Sequence, residues 1–199
     1  MILFGLIGIF GFMGGFVSTI AARGVNDDTL TATVRFPLSI VKGACIDSSG
    51  RIYCLTDFYK RIQVYDRNGH FLRGWFVPFD KVDPGIDIDR ESRIIAYNVS
   101  LGKRLTYTLQ GKPLAKNDMS EEDKKTLGEL DHRPYLKSLD GGTYLLDGNV
   151  IYRIDPKSGV RSVVLADPWY LSWTKGPLPA WLYLLLSIVG LVVLERKKL

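Results

Sequence analysis

The sequence predicts a mainly β domain of about three blade-like units, an incomplete propeller, carried between two apolar helices. Three observations lead there. Met1 to Ala22 contains no charged side chain, and neither does Leu178 to Leu194. The stretch between them is polar, mixed in sign and rich in short β-branched and aromatic runs. Those runs recur three times, with Gly69 to Gly111 a step of about 42 residues and Gly111 to Gly159 about 48, the period of units built from several short strands.

Residues 1–22 form the first expected membrane helix. Roughly 17–25 apolar residues cross a bilayer as a helix. Ser18-Thr19-Ile20-Ala21-Ala22 would also suit cleavage of a secretory leader, but no basic residue precedes the apolar run, and the run exceeds a leader's core. A retained span is therefore expected. Gly5, Gly8, Gly11, Gly14 and Gly15 recur at threes and fours along it. Inside lipid, helices associate by close packing, and glycine lets backbones approach, so this face is expected to pack on another helix.

Residues 23–176 form the β-domain. The first unit contains Gly43 to Cys54 and Arg61 to Leu72. The second contains Gly85 to Asp89, Arg93 to Tyr97 and Arg104 to Leu114. The third, more degenerate, contains Leu136 to Leu146 and Val150 to Gly159. Each run ends in a turn signal such as Asp-Ser-Ser-Gly or Asp-Arg-Asn-Gly. Between the second and third units, Asn117 to Leu130 reads as a helical insertion centred on 118–130. Ser120 is its expected N-cap, Glu121, Glu122 and Asp123 fill the first turn, and Met119, Leu127 and Leu130 make a thin apolar face.

Trp169, Trp173 and Trp181, with Tyr170 and Tyr183, gather where the second span, 177–194, should enter the membrane. Amphipathic rings favour that interface. Pro177 and Pro179 separate the span from the domain. Residues 195–199 are a basic tail, Glu-Arg-Lys-Lys-Leu. Basic residues beside a span stay cytoplasmic, so both termini are expected inside and the domain outside, in periplasm, cell exterior or organelle lumen.

The first unit resembles an NHL repeat. The resemblance rests on Phe36-Pro37, on Ile46-Asp47-Ser48-Ser49-Gly50-Arg51-Ile52-Tyr53, and on Arg61-Ile62-Gln63-Val64-Tyr65-Asp66 with Gly69. It covers about 40 residues well, the second unit partly and the third poorly. What it implies is β-propeller blade architecture rather than an activity. Domains of that family close with about six blades, and three cannot close a ring. The units would pair with another copy into a composite propeller, stay an open arc with edges covered by a neighbour, or rearrange into a small sandwich. Each outcome gives the domain a protein neighbour.

Chemistry-bearing residues are few. The chain has 26 Lys+Arg, 21 Asp+Glu and a net charge of +5, without the basic block that tracks nucleic acid. Cys45 and Cys54 are the only cysteines. If Ser48 to Arg51 are the loop of the first hairpin, the two lie opposite one another, within reach of a disulfide; two buried thiols are the other reading. Two histidines, His70 and His132, are too few for a zinc centre. Asp83, Asp87 and Asp89 lack calcium-loop spacing. No nucleophile motif, zinc-protease motif or P-loop is present, so no catalytic residue, metal or cofactor is assigned. The expectation is a non-catalytic accessory or scaffold subunit of a membrane complex, with integral membrane subunits or further copies of itself as partners. The alternative is a self-assembling propeller that senses a small molecule or glycan.

Overall fold

A computed structural model describes residues 32–167, apart from 39, 58, 79–84, 132–134 and 139–141, together with Leu185. The chain divides into two compact units, one of them Asp27–Asp167. The expected membrane helices, 1–22 and 177–194, lie outside the described residues except for Leu185, and no helix among the described residues is long and apolar enough to cross a membrane.

Among the described residues, twelve strands form three four-stranded antiparallel sheets, each a meander in chain order. The first holds β1 (Val41–Ile46), β2 (Ile52–Thr56), β3 (Arg61–Tyr65) and β4 (Phe71–Phe76). The second holds β5 (Ile86–Ile88), β6 (Ile94–Asn98), β7 (Lys103–Tyr107) and β8 (Pro113–Asp118). The third holds β9 (Tyr135–Lys137), β10 (Thr143–Asp147), β11 (Val150–Ile154) and β12 (Arg161–Leu165). One helix, α1 (Glu121–Asp131), lies between β8 and β9. Asn117 and Asp118, assigned to the helix from sequence, instead end β8, because Lys103 and Arg104 of β7 pair with them.

One turn device recurs between strands. Asp47 N–H donates to the Arg51 carbonyl at 3.0 Å, Gly50 N–H to the Asp47 carbonyl at 3.0 Å, and the Asp47 carboxylate accepts from the N–H groups of Ser49 and Arg51. Asp89 does the same between β5 and β6, with Ser92 at a φ of +59° in the position of Gly50. Asp66 and Thr108 do so before β4 and β8. The short polar side chain supplies the acceptor that a tight loop otherwise lacks. Arg51 and Arg93 also reach back to their aspartates, Nε to Oδ2, at 2.6 and 2.7 Å.

The sheets stack with the first in the middle. Cys45, Tyr53, Leu55, Ile62, Val64 and Trp75 of the first sheet share a cluster with Ile86, Ile94, Ala96, Leu105 and Tyr107 of the second. The alternate residues Ala44, Ile46, Ile52, Cys54 and Tyr65 share another with Tyr144, Ile151 and Leu165 of the third. Period-two alternation thus sends every second side chain to a different neighbour. The third unit packs on the first, and neither cluster joins it to the second.

The layers meet closely at Gly69, whose φ is +82°; a Cβ there would overlap the Val164 carbonyl oxygen of β12. Gly69→Ala should destabilise the protein by roughly 3 kcal/mol or more, from left-handed strain plus the backbone overlap. Gly102→Ala, at a φ of +60° with open space around it, should cost only about 1–2 kcal/mol. Denaturant melts of the full chain in mild detergent compare the two.

Candidate functional site

The two outward-looking faces of the stack differ. The outer face of the second sheet carries Ile95, Tyr97 and Thr106, all buried. Helix α1 covers it. Leu127 and the Tyr97 ring both occupy the space beside Gly85. Arg104 Nη1 on β7 meets Asp123 Oδ1 at 3.1 Å. Asp123 also completes a capping box: its carboxylate accepts the Ser120 N–H at 2.8 Å, and the Ser120 hydroxyl accepts the Asp123 N–H at 3.1 Å. Burial acts to raise the Asp123 pKa, but hydrogen bonds from Ser120 and the Arg104 charge outweigh it and hold the carboxyl below its ordinary value.

The outer face of the third sheet has no such cover among the described elements. Its register sets Tyr135, Leu145, Tyr152 and Val163 in one row across all four strands. Tyr135 is 49% exposed and Val163 60%. Leu145 between them is buried. Val150 and Ile154 extend the apolar surface on either side of Tyr152. This row is the candidate interaction surface, since sheet faces of this composition are ordinarily stacked against another layer.

On the inner side, a strap of residues 35–38 closes the domain. Leu38 N–H donates to the Asp167 carboxylate at 3.0 Å. Arg35 donates to the Ala166 carbonyl at 2.9 Å, lies 3.8 Å from Asp167 and sits over the Tyr65 ring. The chain therefore enters and leaves the domain at one place. Phe36 N–H donates to Gln63 Oε1 at 2.9 Å, which pins the strap to β3. Beneath it lies Arg61, fully buried, with its guanidinium 4.4 Å from the Phe36 ring centroid and 5.2 Å from that of Phe76. Gly74 makes the room: a Cβ there would sit 2.5 Å from Arg61 Nε. Burial pulls the Arg61 pKa down to about 10, so the group stays charged at neutral pH.

Cys45 and Cys54 are both free and buried. They are not opposite one another. Ala44 faces Cys54, and Cys45 faces Tyr53. Pairing of Asp47 with Arg51 makes the loop Ser48–Gly50 and shifts the register by one residue from that expected. A one-residue slip reverses every side chain, so Cys45 looks toward the second sheet and Cys54 toward the third. Burial, then the charges of Asp87, Cys54 and Asp47, push the Cys45 thiol well up; burial above all raises Cys54.

Gly5, Gly8, Gly11, Gly14, Gly15, Trp169, Trp173 and Trp181, together with Asp83 and His132, lie outside the described residues. Asp89 is a turn cap. Exposed His70 pairs with Asp66 at 3.0 Å in another. Among the described residues no group of three or more His, Cys, Asp or Glu could hold a metal ion. Sequence reasoning missed Arg61, because an arginine in a strand reads as solvent-facing. It also missed the outer row of the third sheet, although Tyr135, Leu145, Tyr152 and Val163 each sit at an outward alternation position.

No protein-family model matches the chain, and no curated protein does. Among solved structures it is similar to virginiamycin B lyase from Staphylococcus aureus, at 14% identity and a TM-score of 0.36, over 69% of this chain and 44% of that one. It is also similar to hydrazine synthase from Kuenenia stuttgartiensis, at 12% identity and a TM-score of 0.36, over 71% and 38%. A protein of unknown function from Bacteroides caccae gives 11% and 0.34, over 67% and 49%. The chain spans less than half the length of each of these structures.

Arg61→Ala should cost about 3 kcal/mol in the same melts, through the cavity it leaves. Arg61→Met, which keeps most of the bulk and removes the guanidinium stacked between Phe36 and Phe76, should cost about 1–2 kcal/mol. Both thiols should resist a maleimide at pH 8 until denaturant is added. Rapid labelling of either in the folded chain would contradict the burial described.

Proposed function

We propose that this chain is a non-catalytic scaffold, held in a membrane at both ends, whose β-domain braces proteins on the extracytoplasmic side. The observation that carries the reading is the apolar row Tyr135, Leu145, Tyr152 and Val163, which no described element covers and whose two ends, Tyr135 and Val163, are exposed. A sheet face of that kind is a protein-binding surface by default. Four well-partnered aspartates support the same reading, because Asp47, Asp89, Asp123 and Asp167 each hold a turn, a helix start or the strap.

The three units are read as an incomplete propeller in cyclic order. The last unit closes on the first, as the ends of a ring do, and the gap falls between the second and third. One side of that gap is closed by α1. The membrane reading draws on the apolar segments 1–22 and 177–194. The glycine face of residues 5–15 would pack against helices of partner subunits.

A photo-crosslinking residue at Val163, in the full chain in native membranes, should give discrete protein adducts. The same residue at Lys124, exposed on α1, should give at least about ten-fold less. Absence of adducts at position 163 would remove the basis for the reading.

A further inference from the structure

The row on the third sheet is flanked by charge of opposite sign. Arg161 pairs in register with Ile154, which pairs with Thr143; this row lies on one side of the apolar row. Asp147 pairs with Val150 on the other side. Alternation places both charged residues on the same outer face as Tyr152 and Val163. Both are exposed, and among the described residues neither has an ion-pair partner.

The pattern therefore carries a basic residue at one end and an acidic residue at the other, with Tyr152 near the centre. A two-fold axis in the plane of the face, passing near Tyr152, exchanges the ends. It brings Arg161 of one copy over Asp147 of the other, and the reverse, with apolar row crossing apolar row between them. Two-fold contacts use one patch twice, so a patch whose charge inverts about its own centre is self-complementary. A membrane surface with anionic headgroups would favour basic residues at both ends instead. Stacking of two sheets about 10 Å apart is the mode by which the first sheet already holds its neighbours.

We propose that a second copy of this chain occupies the outer face of the third sheet, forming a two-fold dimer with reciprocal Arg161–Asp147 ion pairs. This rests on the reading that the face binds protein and names the partner. Two such domains would present six blade-like units, joined at the third.

The test is a charge swap in the full chain, purified in mild detergent and followed by light scattering across a concentration series. Arg161→Asp and Asp147→Arg should each weaken dimerisation about ten-fold or more, since like charges then meet across the axis. The double variant should recover wild-type dimerisation to within about three-fold. Both positions are exposed, and unchanged melting curves check that each variant folds. A monomeric wild type, or single variants that dimerise normally, or a double variant that does not recover, would overturn the proposal. If position 163 crosslinks to a different protein while the chain is monomeric, the second copy is excluded and the scaffold reading survives.

Discussion

The two central strands of the first sheet have no solvent face, and the positions of the other sheets follow from that. Every residue of β2 and β3 is buried. Cys45, Tyr53, Leu55, Ile62 and Val64 need cover on one side; Ala44, Ile46, Ile52, Cys54 and Tyr65 need it on the other. Neither alternate set can be wetted without losing the transfer free energy of several large side chains, about 1.5–3 kcal/mol each. The second unit supplies one cover directly, through the short connection after β4. The third must come round to the opposite side. The chain makes that crossing between β8 and β9, the segment that also holds α1.

Much of this was legible along the chain. Turn chemistry was the clearest signal, because Asp47, Asp66 and Asp89 sit where the loop needs an acceptor and glycine or serine follows at the left-handed position. The strands followed from alternation between those turns. The start of the helix was visible in Ser120 and the acidic residues after it. Its first two expected residues belong to β8, since a neighbouring strand outcompeted local propensity.

The register of the first hairpin was not legible, and the reason is local. Loops of three or four residues both satisfy the pattern around Ser48. Only the closing pair Asp47 with Arg51 decides, and it moves Cys54 from the face of Cys45 to the other side. The layer order was hidden for a different reason. A strand buried on both faces shows apolar residues at every position, so its periodicity names no preferred side. Arg61 was concealed because its cover comes from the strap and from β4, through Phe36 and Phe76, with Gly74 leaving the space. No local window contains all of those residues. The candidate surface on the third sheet depends likewise on four strands in register, which spacing alone does not give.

The strap between residues 35–38 and Asp167 has a mechanical meaning. The described segments that meet in it are neighbours at Arg35 and Asp167, so the β-stack spans the chain between two adjoining points. Drawing those segments apart sideways loads the Leu38–Asp167 and Arg35–Ala166 hydrogen bonds one after another, like opening a zip. The sheets behind them feel no tension until that seam has parted. Under lateral pull the seam is therefore loaded ahead of the strands.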